Sequence, residues 1–190
     1  MKTLKIQSLA MLVAVASVVI FTPACSQTTE KSKSETKAEA PDMDIHAAVL
    51  AGNLEVVQQH IKAGTDINSK EPFNGSTPLV SAATFGKTEI VKALLAAGAD
   101  ISIGNNDGST PLHSAAFFGR VEIVQLLLDA EADKTVKNNY GATPRETVVA
   151  PFAELKPLYE MMKEQLGPLG FQLDMEELQK SRPVIAMMLQ

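Results

Sequence analysis

The sequence lacks tryptophan, and aromatic residues of all kinds make up only 5% of its 190 residues. It holds a single cysteine, Cys25, so an internal disulfide framework is excluded. With so few large rings, the chain has little material for the core of a β-sandwich or barrel. Hydrophobic residues nevertheless make up 45% of the chain and charged residues 21%, which is typical of a globular protein. Small, alanine-rich helices that pack closely fit this composition.

The sequence also lacks motifs that indicate nucleic-acid binding, metal binding or catalysis. The net charge is −5, and no basic stripe is available for a phosphate backbone, so nucleic-acid binding is not expected. The three histidines do not stand at metal-ligand spacing, and no second cysteine is present. The sequence has no G-x-S-x-G turn and no phosphate-binding loop. We therefore expect no enzyme activity, no metal and no cofactor.

The first 24 residues are predicted to be a signal peptide. Lys2 and Lys5 precede an uncharged apolar run at residues 9–21, which is shorter than the roughly 20 residues that a spanning helix needs. A basic start, a short apolar run and then small residues are typical of a secretory signal. A permanent anchor helix is the alternative interpretation.

Cys25 follows this run directly, in the segment FTPACS. The segment resembles a bacterial lipoprotein signal, in which the cysteine becomes the lipid-bearing first residue of the mature chain, and Ala24 fits that pattern. The resemblance implies lipidation at Cys25 and an outer-membrane or periplasmic lipoprotein. Cleavage that leaves a soluble periplasmic or secreted protein is the alternative. Residues 25–41 contain no large apolar side chain after the cysteine, so they are predicted to form a disordered tether spanning roughly 20 Å.

The rest of the chain repeats itself. Residues 75–101, GSTPLVSAATFGKTEIVKALLAAGADI, match residues 108–134, GSTPLHSAAFFGRVEIVQLLLDAEADK, at an offset of 33. A divergent copy precedes them at 44–68, and GATP restarts the pattern at residue 141. The predicted copies within 42–150 lie at about 42–74, 75–107, 108–140 and, in part, 141–151. Residues 152–190 leave the repeat.

The repeat resembles the ankyrin family, whose signature is T-P-L-H-x-A on a period of 33. The signature stands here at Thr110–Ala115, and Thr77-Pro78-Leu79 begins another copy with Val80 in the histidine place. The resemblance implies an all-α solenoid of about four copies of short helix pairs with hairpin loops. It also implies protein binding, with His46 and His113 ordering their own turns.

The same residues make physical sense without the family. In the two close copies a threonine caps the first helix, and proline suits the first helical position. In the second helix the apolar stripe is formed by Ile123, Val124, Leu127 and Leu128. No copy can bury this stripe alone, so stacked copies must share a core. One helix end departs from the pattern, because Glu131 stands where Gly64 and Gly98 stand, which predicts a strained positive φ there.

The fourth copy and residues 152–190 are predicted to cap the stack. Pro151 interrupts the first helix of the fourth copy. A helix starting near Glu154, with Pro157 in its first turn, is predicted to end at Gly167. Asp174 caps a helix through Leu178, and Pro183 begins a last short helix. Methionines concentrate in this segment, which indicates either core packing or a soft docking groove.

The predicted binding surface is the concave face with the hairpin tips, where ankyrin-family proteins usually bind partners. Leu50, Phe85 and Phe118 recur at about one repeat spacing and form an apolar row, which marks an interaction site if it is exposed. Inward packing of these side chains is the alternative. The candidate residues are Leu50, Phe73, Phe85, Asn106, Asp107, Phe117, Phe118, Asn139 and Tyr140.

The sequence therefore predicts a monomeric, non-catalytic adaptor at the cell envelope that binds another protein. It contacts the membrane only through its N-terminal lipid or signal segment. An inhibitor or immunity protein that neutralises one specific partner is the alternative function. A very tight one-to-one complex with a single partner would indicate this second class.

Overall fold

A computed structural model describes residues 39–190, and this part of the chain contains α-helices and one 3-10 turn but no strand. The predictions on the signal peptide, on Cys25 and on most of the tether fall on residues 1–38 and lie outside the described residues. Within 39–190, no helix is long and apolar enough to cross a membrane.

Three helix pairs follow one another along the chain and stack side by side. The pairs are α1 (Ile45–Ala51) with α2 (Leu54–Ala63), α3 (Pro78–Thr84) with α4 (Thr88–Ala96), and α5 (Pro111–Phe117) with α6 (Val121–Asp129). Each first helix packs on the next first helix, and each second helix packs on the next second helix. The fold is thus an all-α repeat stack, as the sequence predicts.

The first helices begin as the sequence predicts. Thr77 and Thr110 are extended N-caps, and each is followed by proline at the first helical position. The Thr77 hydroxyl accepts a hydrogen bond from the backbone N–H of Val80 at 3.3 Å. Such a bond satisfies one of the N–H groups that a helix start leaves without a partner.

The second helices end in a left-handed residue. At the end of α4, Gly98 has φ 79°, and the next N–H returns to the carbonyl of Leu94 at 3.0 Å. At the end of α6, Glu131 takes φ 64°, and Ala132 N–H returns to the Leu127 carbonyl at 2.9 Å. Glu131 is the one non-glycine residue with positive φ within 39–190. The prediction of a positive φ at this helix end is confirmed.

One hydrophobic core runs through all the repeats. Small residues bring the first helices close together, since Ala82, Ala83, Ala115 and Ala116 are fully buried. The aliphatic stripe of the second helices completes the core. Its buried members include Val57, Ile90, Val91, Leu94, Ile123, Val124 and Leu127.

The end of the chain folds back on the stack. The fourth copy keeps one helical turn, α7 (Glu146–Val149), and is followed by α8 (Phe152–Leu166), a 3-10 turn (Gly167–Leu169) and α9 (Met175–Met188). Helix α9 packs on α5, α6 and α7. Its Ile185, together with Leu189 just beyond its end, joins the core of the repeats.

Two predictions about these helices are wrong. Helix α8 begins at Phe152 rather than near Glu154, which places Pro157 in its interior. Pro183 does not start a new helix but lies inside α9. Both prolines are exposed, so their rings meet solvent. Buried side chains on both sides of Pro183, Leu178 and Ile185, hold α9 together across the missing N–H.

Candidate protein-binding surface

One acceptor side chain organises each hairpin tip. The side-chain oxygen of Asn105 accepts hydrogen bonds from the backbone N–H groups two and four residues later, both at 3.0 Å. Asn138 does the same in the next tip, with both bonds at 3.1 Å. These local bonds fix the loop backbone, as asparagine commonly does in turns.

The first tip is one residue longer and uses a carboxylate instead. Glu71 accepts hydrogen bonds from the backbone N–H groups of Phe73 and Asn74, both at 2.7 Å, and from that of Ser76 at 3.1 Å. Partial burial acts to raise the pKa of Glu71, but these three donors and nearby His46 outweigh it and hold the pKa below its usual value. The ionised carboxylate therefore stabilises the tip.

Hydrogen bonds also join neighbouring tips to one another. Asn106 N–H donates to the carbonyl of Asn74 at 2.8 Å, and Asn139 N–H donates to the carbonyl of Asp107 at 2.8 Å. The Asn139 side-chain amide adds a bond to the Asn106 carbonyl at 2.9 Å. The three tips thus form one row, which we call the tip row, residues 71–75, 105–108 and 138–141.

Glycine is required where the tips meet. Gly75 and Gly108 have φ 65° and 69°, a conformation that other residues seldom adopt. A Cβ at Gly75 would lie 2.2 Å from the side-chain oxygen of Asn106, and one at Gly108 would lie 2.8 Å from that of Asn139. The close approach of successive tips therefore depends on these two positions.

Five of the predicted site residues lie on the tip row. Phe73 is 93% exposed and Tyr140 is 77% exposed. The Tyr140 hydroxyl donates to the Asp107 carboxylate at 3.1 Å, which fixes its ring across two tips. Asn106 and Asn139 are also exposed. The structure brings these five residues together in one accessible, hydrogen-bonded row.

The other predicted site residues are covered, and the prediction that Phe85 and Phe118 are exposed anchors is wrong. Phe118 is only 6% exposed, and Leu50, Phe85 and Phe117 are half-buried. The cause is the C-terminal segment. The ring of Phe171 packs edge-on against Phe85 and Phe118, with centroids 5.5 and 5.1 Å away.

Helix α8 covers the same row through Tyr159. This side chain is fully buried, and its hydroxyl donates to the carbonyl of Phe117 at 2.9 Å. The Arg182 guanidinium donates to the Tyr159 oxygen at 2.6 Å. Burial raises the pKa of Tyr159 to about 12, against the opposing charge and hydrogen bond of Arg182. The phenol therefore stays neutral at physiological pH.

Between α8 and α9 lies a segment without regular secondary structure, residues 170–173, which we call the strap. Phe171 and Leu173 are each 4% exposed, whereas Gln172 between them is exposed. Arg120, at the start of α6, donates to the Gln172 carbonyl at 2.6 Å and lies 5.7 Å from the Phe171 ring centroid. The strap is thus held by two apolar side chains and one cation.

The buried histidines have structural partners. His113 Nδ1 accepts from the backbone N–H of Thr110 at 3.2 Å, and Nε2 donates to the carbonyl of Ala142 at 3.0 Å. His60 lies 2.7 Å from the carbonyl of Met43. No group of three or more His, Cys, Asp or Glu side chains within residues 39–190 is arranged to hold a metal ion.

Sequence reasoning missed the residues that shape the tips and the strap. The repeat did contain a signal for the tips, because Asn105 and Asn138 stand 33 residues apart and each precedes a repeat glycine by three. Glu71 stands outside that register, owing to the extra residue in its tip. Nothing in the repeat pattern indicated that residues 170–173 reach back to Phe85.

Comparison with known proteins identifies the repeat. Residues 45–138 match the family described as ankyrin repeats in three copies. A mouse protein, protein phosphatase 1 regulatory subunit 27, is 42% identical over 63 residues, which cover 33% of this chain and 40% of that protein. The human DNA-binding protein RFXANK is 34% identical over 67 residues, which cover 35% of this chain and 26% of that protein.

A solved structure also matches this chain. The ankyrin repeat domain of Bcl-3 matches with a TM-score of 0.53 and 32% identity, covering 54% of this chain and 45% of that one. In each of these three comparisons the chain spans less than half of the protein it matches. Residues 45–138 are ankyrin repeats, and the repeat implies a protein–protein interaction module.

Proposed function

We propose that this chain is a non-catalytic protein-binding module of the bacterial cell envelope, which holds its partner on the tip row. The single observation behind binding on the tip row is the exposure of two aromatic rings, Phe73 at 93% and Tyr140 at 77%, on loops that hydrogen bonds fix in place. Exposed aromatic side chains on an ordered backbone are suited to anchor a partner.

Order in the free protein favours such binding. The tip backbones are held by Glu71, Asn105 and Asn138 and are joined from one tip to the next. A surface that is already ordered loses less conformational entropy when a partner docks. The asparagine side chains between the two rings offer donors and acceptors for the polar part of an interface.

The relatives support a binding role. One of them is named a regulatory subunit of a phosphatase, and the repeat that it shares with this chain has no catalytic signature. The class of this chain's partner follows only from the surface itself, which offers aromatic and amide groups and therefore fits another protein.

The tip row is tested by capture from envelope extracts on immobilised protein. Phe73→Ala and Tyr140→Ala are each expected to weaken capture of the same partner by more than about 1 kcal/mol, a factor of about five or more. Leu158→Ala is the matched control, because Leu158 is a partly exposed apolar residue of α8, 37% exposed, outside the tip row. Equal capture by all three variants would exclude the tip row as the binding surface.

Export to the envelope is tested separately at Cys25. Lipidation there would tether the repeats to a membrane through residues 25–41. Cys25→Ala is expected to abolish incorporation of a labelled fatty acid and to release the protein from the membrane fraction. Unchanged membrane attachment without an acyl label would instead favour a plain N-terminal anchor.

A further inference from the structure

We propose that the row of first-helix ends beneath the strap is a second protein-binding surface, which takes an extended acidic segment with two apolar side chains separated by one residue. The protein's own strap occupies this surface in the structure. This inference goes beyond the tip row and does not depend on it.

The strap lies on three successive repeats. A Cβ at Gly170 would stand 3.4 Å from the carbonyl of Leu50, at the end of α1. The next residue, Phe171, packs its ring against Phe85 at the end of α3 and Phe118 at the end of α5. The repeats therefore present one continuous groove, and the strap fills it.

The pattern within the strap defines the shape of a ligand. Phe171 and Leu173 are buried while Gln172 points its side chain to solvent and its carbonyl to Arg120 at 2.6 Å. Alternate side chains on opposite sides are typical of an extended segment. The groove thus binds two apolar side chains, at positions i and i+2, and the backbone carbonyl of the residue between them.

The strap packs outside the main core. Phe171, Leu173 and Tyr159 belong to a second hydrophobic cluster, distinct from the core that runs through the repeats. Helix α8 has Tyr159 as its one buried residue. Helix α9 contributes Leu178 to the second cluster, but it is also anchored in the main core through Ile185. Segments with few buried contacts open at lower free energy than the rest of a protein.

Charge indicates that the partner is acidic. Arg182 is 4% exposed and donates to two neutral oxygens, those of Tyr159 and Ala150. Nε of Arg120 is buried without a hydrogen-bond partner. Neither guanidinium has a carboxylate within 4.0 Å among residues 39–190. Arg120 is half-buried and its other contact is again a neutral oxygen, the Thr84 carbonyl. Covering a cation without an anion is unfavourable, so a segment that brings a carboxylate to Arg120 can displace the strap.

The test uses a labelled synthetic peptide with the sequence of residues 166–177, LGPLGFQLDMEE, and a second peptide carrying Gln172→Glu. The full-length protein is compared with its Phe171→Ala/Leu173→Ala double variant, in which the strap loses both apolar side chains. Leu169→Ala is the matched control, because Leu169 is 50% exposed next to the strap.

We expect the double variant to bind the peptide at least tenfold more tightly than the wild type or the control does. The Gln172→Glu peptide adds a carboxylate to the residue whose backbone carbonyl accepts from Arg120, so charge attraction should make it bind more tightly still, and Arg120→Gln in the double variant should remove that difference. Phe73→Ala and Tyr140→Ala should leave peptide binding unchanged, so that failure of the tip row and failure of this groove are distinguishable. A folded double variant that binds no peptide overturns the proposal.

Two further outcomes are decisive. Exchange of straps between two copies, seen as a dimer of the double variant or of the wild type by size exclusion, would overturn an acidic partner in favour of a second copy. If the double variant fails to fold, amide hydrogen exchange of the wild type decides. We expect the Tyr159 and Phe171 amides to exchange at least tenfold faster than those of Ala115 and Leu127, and equal protection would overturn the proposal.

Discussion

At three equivalent helix ends the backbone takes the left-handed conformation, and the residue that must adopt it differs. Gly64 and Gly98 have φ 70° and 79°, whereas Glu131 has φ 64°. The bonds that return to the preceding helix are the same in α4 and α6. The geometry is therefore set by the repeat, and Glu131 adopts it with the steric strain of a side chain at positive φ.

Glu131→Gly is expected to stabilise the protein by up to about 1 kcal/mol, because it relieves this strain. Gly98→Glu is the reciprocal change. A Cβ at Gly98 would meet nothing within 4 Å, so the expected loss of stability comes from the backbone alone. Urea unfolding of both variants measures the effect, and a higher free energy of unfolding for Gly98→Glu would contradict the proposed equivalence of the helix ends.

Two phenylalanines in different surroundings give a second residue-level prediction. Phe118→Ala is expected to lower the free energy of unfolding by about 3–5 kcal/mol, because its ring is only 6% exposed. Phe85→Ala should cause a smaller loss, since Phe85 is half-buried. Phe73→Ala is the control, since that ring is 93% exposed and should change stability within about 0.5 kcal/mol. Equal stability of the Phe118 and Phe73 variants in urea would show that the C-terminal segment does not cover Phe118 in solution.

At the scale of the element, one histidine links a helix to the next repeat. His113 stands in the first turn of α5, accepts from Thr110 N–H and donates to the carbonyl of Ala142 in the following tip. This arrangement needs a neutral ring with its proton on Nε2. Burial lowers the pKa of His113 below 6.5, and hydrogen bonds to the carbonyls of Ala142 and Val136 only partly oppose the shift.

The stability of the protein should therefore depend on pH through His113. Below about pH 6.5 the unfolded chain takes up a proton that the folded ring resists, so the free energy of unfolding falls as the pH falls. His113→Val, which copies Val80 of the preceding repeat, should lose less stability between pH 7 and pH 5 than the wild type loses. Parallel pH profiles for the two proteins in chemical denaturation would contradict this role.

Helix boundaries at the end of the chain show where local signals fail. Asp174 caps α9 as its sequence predicts, with its carboxylate accepting from the N–H of Glu176 and of Glu177. Pro183, in contrast, does not interrupt the helix. Its ring is exposed, and burial of Leu178 and Ile185 on the stack outweighs the lost hydrogen bond.

At the scale of the whole molecule, a single core connects the repeats, none of which would be stable alone. Buried residues of this core extend from Ala48 in α1 to Leu189 after α9. Stability in such a stack is the sum of the repeats and the interfaces between them. A cavity at one central position therefore lowers the stability of the neighbouring repeats as well.

Leu127→Ala tests this coupling. Leu127 is fully buried in α6, so its truncation is expected to lower the free energy of unfolding by about 2–5 kcal/mol. The loss should appear as one shifted transition in urea, monitored both by circular dichroism and by hydrogen exchange in α4 and α9. Separate transitions for these helices would show that the repeats unfold independently.

The sequence by itself determined the repeat, its period of 33 residues and the tips, because capping threonines, first-turn prolines and left-handed glycines act within a few residues of one another. Phe73, Asn106 and Tyr140 could be assigned to the tips on this basis. Only the tertiary structure decided the state of Phe85 and Phe118. Their burial depends on Phe171 and Tyr159, which lie 41 to 86 residues further along the chain and outside the repeat. Contacts between residues so far apart in the chain produce no periodic pattern in the sequence. The repeat pattern alone therefore places the apolar row at the surface, whereas in the structure the C-terminal segment covers it.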